Sequence, residues 1–126
     1  MIAAAHYIVF DQGNPYKQHY IKISDEGIIE KLEPLEKEIA HAKFFNGILF
    51  ALPHAEVLGE LELLKELLYL EKIQPEKSVF ELLKLLKLAG AESSNRIVLY
   101  SLCGIDLLAA KLRTGDGSCH CHIQRL

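Results

Sequence analysis

Between Pro53 and Gly90 the chain has 36 residues, and twelve of its 22 leucines fall between Leu58 and Leu88. This block constrains the fold most. Its apolar residues recur with the period of a helix, whereas the segments on both sides recur with the period of a strand. Val57, Leu61, Leu64 and Leu68 follow one helical stripe, and Leu63, Leu67 and Leu70 widen it. Glu62, Lys65, Glu66 and Lys72 fall on the opposite side, while Glu60 and Glu71 interrupt the edges of the apolar arc. The spacing predicts a helix from Val57 to Ile73. Ser78, with Glu81 three residues on, is a capping box that starts a second helix. Val79, Leu82, Leu83 and Leu86 form its core stripe, Glu81, Lys84 and Lys87 its polar one, and Gly90 is suited to the C′ position. The short Gln74-Pro75 link makes residues 56–90 a helical hairpin. Two short helices cannot hide this much leucine against each other. The excess must pack on a sheet, on a second copy of the chain, or both, and a homo-oligomer such as a dimer is expected.

The flanks read as strands. Ala3 to Phe10 is apolar and ends at the turn signal Asp-Gln-Gly-Asn-Pro. His19 to Ser24 alternates, with Tyr20 on the face opposite Ile21 and Ile23. Asp25-Glu26-Gly27 makes a tight turn, and Ile28 to Leu32 returns as a hairpin strand. Phe44 to Leu52 is a further strand, bent or bulged at Asn46-Gly47 and closed by Pro53. Beyond the helices, Arg96 to Leu102, Ile105 to Leu112 and Ser118 to Leu126 are three more runs, separated by Gly104 and by a loop at residues 114–117. Strands over 1–53, helices over 56–90 and strands over 96–126 segregate the element types. The expected class is α+β, a small composite β-sandwich with a central helical hairpin, in one domain over 1–126.

The bulk properties exclude several functions. A net charge of −3 leaves no basic footprint for nucleic acid. No apolar run approaches the ~20 residues of a membrane span. The first residues lack a basic leader and reach Asp11 after His6, so they read as a strand and not as a signal peptide. Three cysteines, an odd number, indicate no secreted disulfide framework, and a cytoplasmic setting is expected. Neither a P-loop, a G-x-G-x-x-G nor a G-x-S-x-G nucleophile motif occurs in the sequence.

Several segments together resemble a family. IKISDEGIIEKLEPL resembles the N-terminal hairpin of the amidohydrolase superfamily, the metal-dependent hydrolases that include chlorohydrolases and cytosine deaminases. FFNGILFALP resembles the strand that leads into the first barrel strand of that family, and ELLKLLKLAGAE its late helix. The resemblance covers roughly 1–53 and 80–126. It implies that the N- and C-terminal segments join in one sandwich, which in the family lies beside a catalytic barrel of about 250 residues. The 36 residues after Pro53 cannot hold that barrel. Where the family places a His-x-His metal pair, this chain has His54-Ala55-Glu56. The resemblance therefore implies a truncated, non-catalytic relative with no catalytic residues and no resident cofactor; with the excess leucine surface, the expectation is a self-associating module that binds an unidentified small ligand or regulates a full-length relative.

Two clusters keep metal chemistry open, with zinc as the candidate ion. Cys119, His120, Cys121 and His122 all have ligand side chains. In a strand they split, the cysteines to one face with Ile123 and the histidines to the other. Either pair would need partners such as His6, His19, His41 or His54. His54 and Glu56 are the second cluster. They are either a remnant metal or acid–base pair, or the start of a helix with Glu56 in its first turn.

Overall fold

The computed structural model describes residues 1–10, 14–36, 41–54, 58–86, 96–112, 114–115, 118–119 and 121–126. Among the described residues there are two helices and a mixed sheet, mostly sheet with helices, an arrangement compatible with the α+β class. The main sheet has seven strands. They are β1 (Ile2–Val9), β2 (Tyr16–Lys17), β3 (His19–Ile23), β4 (Ile29–Pro34), β5 (Ala42–Pro53), β6 (Ile97–Cys103) and β11 (His122–Arg125). The order across it is β11-β6-β5-β1-β3-β4, with β2 paired to β1. The pairings are antiparallel except for β1 with β5, which is parallel. Two short ladders complete the strands: β7 (Ile105–Asp106) with β8 (Lys111–Leu112), and β9 (Thr114–Gly115) with β10 (Ser118–Cys119).

Strand alternation sends Ile48, Phe50 and Leu52 to one face of β5 and Leu49 and Ala51 to the other, and all five are buried. The first face packs under the helices with Val98, Tyr100 and Leu102, where the Phe50 and Tyr100 rings stack 5.4 Å apart as a cross-strand pair. The second face holds a separate core of Ile8, Ile21, Leu49 and Leu99. The sheet curls around that core. The Ile97 amide, at the start of β6, donates to the Gly27 carbonyl in the β3–β4 turn at 2.8 Å, although β5 and β1 lie between β6 and β3 in the sheet. Gly27 has φ +84, and an added methyl would press on the Ile97 carbonyl, so the turn needs glycine both for its backbone and for this approach.

Helix α1 (Glu60–Ile73) begins three residues later than the spacing suggested, after Gly59 in an extended conformation. Its buried residues are Leu63 and Leu67, with Leu64, Leu68 and Leu70 partly buried. Leu61, expected in the stripe, is 63% exposed. Glu60 is exposed, and Glu71 is partly buried with its Oε2 accepting from the Leu112 amide at 3.3 Å. Helix α2 (Val79–Leu85) follows its sequence reading closely. Ser78 Oγ accepts from the Glu81 amide at 3.2 Å, and Glu81 Oε1 accepts from the Ser78 amide at 3.2 Å. Val79, Leu82, Leu83 and Leu86 are buried. The helix ends at Leu85 because Leu86 turns extended and carries its side chain into the core. Gly90 lies outside the described residues.

The hydrogen bond from the Ser78 amide holds the Glu81 carboxyl below its ordinary pKa. That contribution is present above the unfolded carboxyl's pKa and fades as pH falls through the lower folded value. Ser78→Ala is expected to cost about 1 kcal/mol in urea unfolding at neutral pH, the usual worth of such a cap.

Two strand expectations are corrected. Ile105 to Leu112 is a short hairpin and not one strand. Asp106 Oδ1 accepts from the Ala109 amide at 3.1 Å, a side-chain turn that reverses the chain, and Ala110 takes φ 53. The hairpin anchors the helices. The Ala110 carbonyl accepts from the Val79 amide at 2.7 Å, and Lys111 Nζ donates to the carbonyls of Pro75 and Lys77, each at 2.6 Å. The run from Ser118 to Leu126 is also divided. Ser118–Cys119 pairs with β9, and His122–Arg125 pairs with β6.

Candidate functional site

The division of the last run decides the geometry of the Cys-His segment. Cys121 is buried with Ile123 and His122 is exposed, so the expected alternation holds over these three residues. His120 and the Cys119 side chain lie outside the described residues, as does Glu56.

His54 and His122 do not meet. The His54 amide donates to the Arg96 carbonyl at 2.9 Å, just before β6, whereas His122 is paired with Cys103 at the far end of β6. Seven extended residues separate these positions, about 23 Å. The other histidines are dispersed. His6 Nδ1 accepts from the Gly47 amide at 3.3 Å, and its ring stands edge-on to Phe44. His19 Nδ1 contacts the Lys17 carbonyl oxygen at 2.8 Å, and His41 is exposed with φ 65. Among the described residues, no three His, Cys, Asp or Glu side chains are grouped to hold a metal.

The sequence reading did not single out Cys103. Directly opposite His122 across the β6–β11 ladder, its Sγ donates to the His122 carbonyl at 3.7 Å. Burial pushes its thiol pKa up.

His54 belongs instead to a cleft of about 550 Å³ at the end of the sheet where the curl brings the β3–β4 turn against β6. Asp25 and Glu26 of the turn line it together with His54, Arg96 and Arg125, and with the apolar Ile97. Cationic groups thus come from the β5–β6 connection and β11, and carboxylates from the hairpin turn. Such a cleft can hold a small charged molecule by ion pairing and hydrogen bonding to its charged residues and by contact with its apolar ones. Arg96 and Arg125 carry no motif. They are 29 residues apart in the chain and are gathered by the curl and by the β6–β11 register. Their position at strand ends was the only local signal.

Among the described residues, no helix is long and apolar enough to cross a membrane. Comparison with family models, curated proteins and solved structures finds no significant match to this chain.

Proposed function

We propose that the chain is a non-catalytic binding module that associates with itself through its leucine-rich helices, acts in the cytoplasm and takes a small ligand in the cleft beside His54. In this reading it is related to the amidohydrolases. The two halves of its curled sheet correspond to their composite β-sandwich, and the helical hairpin stands where their barrel would be. The antiparallel pairing of β5 with β6, from Ile48 with Leu102 to Pro53 with Ile97, supports this by joining N- and C-terminal segments in one sheet. The observation that carries the non-catalytic reading is the separation of His54 from His122. Ligand-type side chains stand at opposite ends of β6, while the cleft gathers charged groups of both signs.

Light scattering of the full chain at micromolar concentration, with elemental analysis of the same untagged sample, tests the proposal. The expected result is an oligomer with zinc well below one equivalent per chain. A clean monomer overturns self-association. One equivalent of zinc that is lost on His120→Ala with His122→Ala overturns the proposal in favour of a small metal-binding protein or residual hydrolase.

A further inference from the structure

We infer that two copies of the chain pair antiparallel through the outward face of α1, an inference that rests on the reading of the chain as a self-associating module. Leu63 and Leu67 already satisfy the sheet. On the opposite side of the helix, Leu61, Tyr69 and Ile73 are 63%, 61% and 51% exposed, and Leu58 just before the helix is also exposed. Residues four apart are neighbours on a helix, so Leu61, Lys65, Tyr69 and Ile73 form one continuous ridge. Among the described residues, the other large exposed apolar side chains, Met1, Phe44, Leu85 and Leu108, come one each from four different parts of the chain. On the ridge three such side chains stand together, interrupted by Lys65 alone.

Charge selects both the occupant and its direction. The N-terminal turn of α1 carries Glu60 and Glu62; its last turn carries Lys72 together with Glu71, whose carboxylate is taken up by the Leu112 amide, which leaves Lys72 as the charge offered outward at that end. A parallel partner would set Glu62 beside the same residue of the second copy and align like ends of the two helix dipoles. An antiparallel partner sets the acidic end of each helix beside the Lys72 end of the other and opposes the dipoles. With the two-fold axis midway between Lys65 and Tyr69, Leu61 meets Ile73 of the second copy and the Lys65 ammonium meets the Tyr69 ring. The same patch serves both copies, so the contact closes on itself as a dimer and does not propagate.

The test places a genetically encoded nitroxide amino acid at position 65 or at position 72 of the full chain, leaving the cysteines untouched. The distance between the two copies' labels is read by pulsed electron spin resonance. Antiparallel pairing offsets the two copies along the axis by about 6 Å at position 65 and about 15 Å at position 72, from a rise of 1.5 Å per residue. The distance at 72 is therefore expected to exceed that at 65 by roughly 6–7 Å once a helix separation of about 8–10 Å is included. Equal distances would mean parallel pairing and would overturn the inference. Leu61→Glu with Tyr69→Glu changes outward residues only and is expected to weaken association at least 100-fold with the circular dichroism spectrum unchanged. A double variant that still dimerises like the parent overturns this interface while leaving self-association standing. A parent chain that is monomeric at micromolar concentration overturns both.

Discussion

Gly47→Ala is expected to lower stability by about 3 kcal/mol or more, enough to unfold much of a marginally stable domain. Two independent costs add. Gly47 has φ +129, a backbone region open to glycine and strained for any L side chain. A methyl at this position would also overlap the Leu102 carbonyl oxygen of the neighbouring strand, and backbone cannot move aside there without breaking the β5–β6 ladder. The residue sits where β1 and β5 change register between Ala5 and Tyr7, and its amide donates to His6 Nδ1. The bulge lets the long β5 strand stay paired with β1 on one side and β6 on the other. Urea unfolding followed by circular dichroism measures the loss. Gly59→Ala is the control: Gly59 has ordinary φ and meets only the flexible Glu62 side chain, so a change under about 1 kcal/mol is expected. Equal effects at the two glycines would mean that the bulge is not the constrained point.

The Asn46-Gly47 pair was legible as a bend or bulge because a glycine in the middle of an apolar strand requires a local reason. The capping box at Ser78 was legible for a similar cause: it is a contact between residues three apart, fixed by local chemistry alone. The hairpin turn at residues 24–27 and the segregation of strands from helices belong to the same class. Most of what sequence left open was long-range. The curl that sets Gly27 against Ile97 and the parallel pairing of β1 with β5 depend on partners far along the chain; the reversal at residues 107–110 is local, made by the Asp106 carboxylate and the Ala109 amide, but its apolar residues hide it. The apolar pattern of Ile105 to Leu112 fits a strand as well as it fits a turn with one exposed leucine, and Leu108 is that leucine.

The site divides along the same line. The alternation of Cys121, His122 and Ile123 was legible, since it follows from the two-residue period of any strand. The distance between His54 and His122 was not, because it depends on which ends of β6 receive β5 and β11. Nor was the Cys103–His122 pair, which exists only through the β6–β11 register. The cleft beside His54 combines the turn, the β5–β6 connection and β11, three segments with no shared local signal.

Leu67→Ala is expected to cost 2–5 kcal/mol, whereas Leu61→Ala should change the stability of the isolated chain by less than about 0.5 kcal/mol. Both residues lie on α1 and both belong to the apolar arc read from the sequence. They differ in what the helix rotation does with them. Leu67 is fully buried among the sheet-facing core residues, so removing three of its carbon atoms leaves a cavity that the stacked Phe50 and Tyr100 layer cannot collapse to fill. Leu61 is 63% exposed, and its truncation removes contacts mostly with water. An arc as wide as that of α1 does not by itself say which of its edges faces the sheet, because Leu61, Leu64 and Leu68 describe as good a stripe as Leu63, Leu67 and Leu70. Urea midpoints measured at nanomolar concentration isolate the folding cost from any association. At micromolar concentration Leu61→Ala should show an additional loss, since its side chain then contributes to the contact between copies, and Leu67→Ala should show none beyond its folding cost. Equal midpoints for the two variants at nanomolar concentration would place the buried face of α1 elsewhere and remove the outward ridge on which the pairing of copies depends.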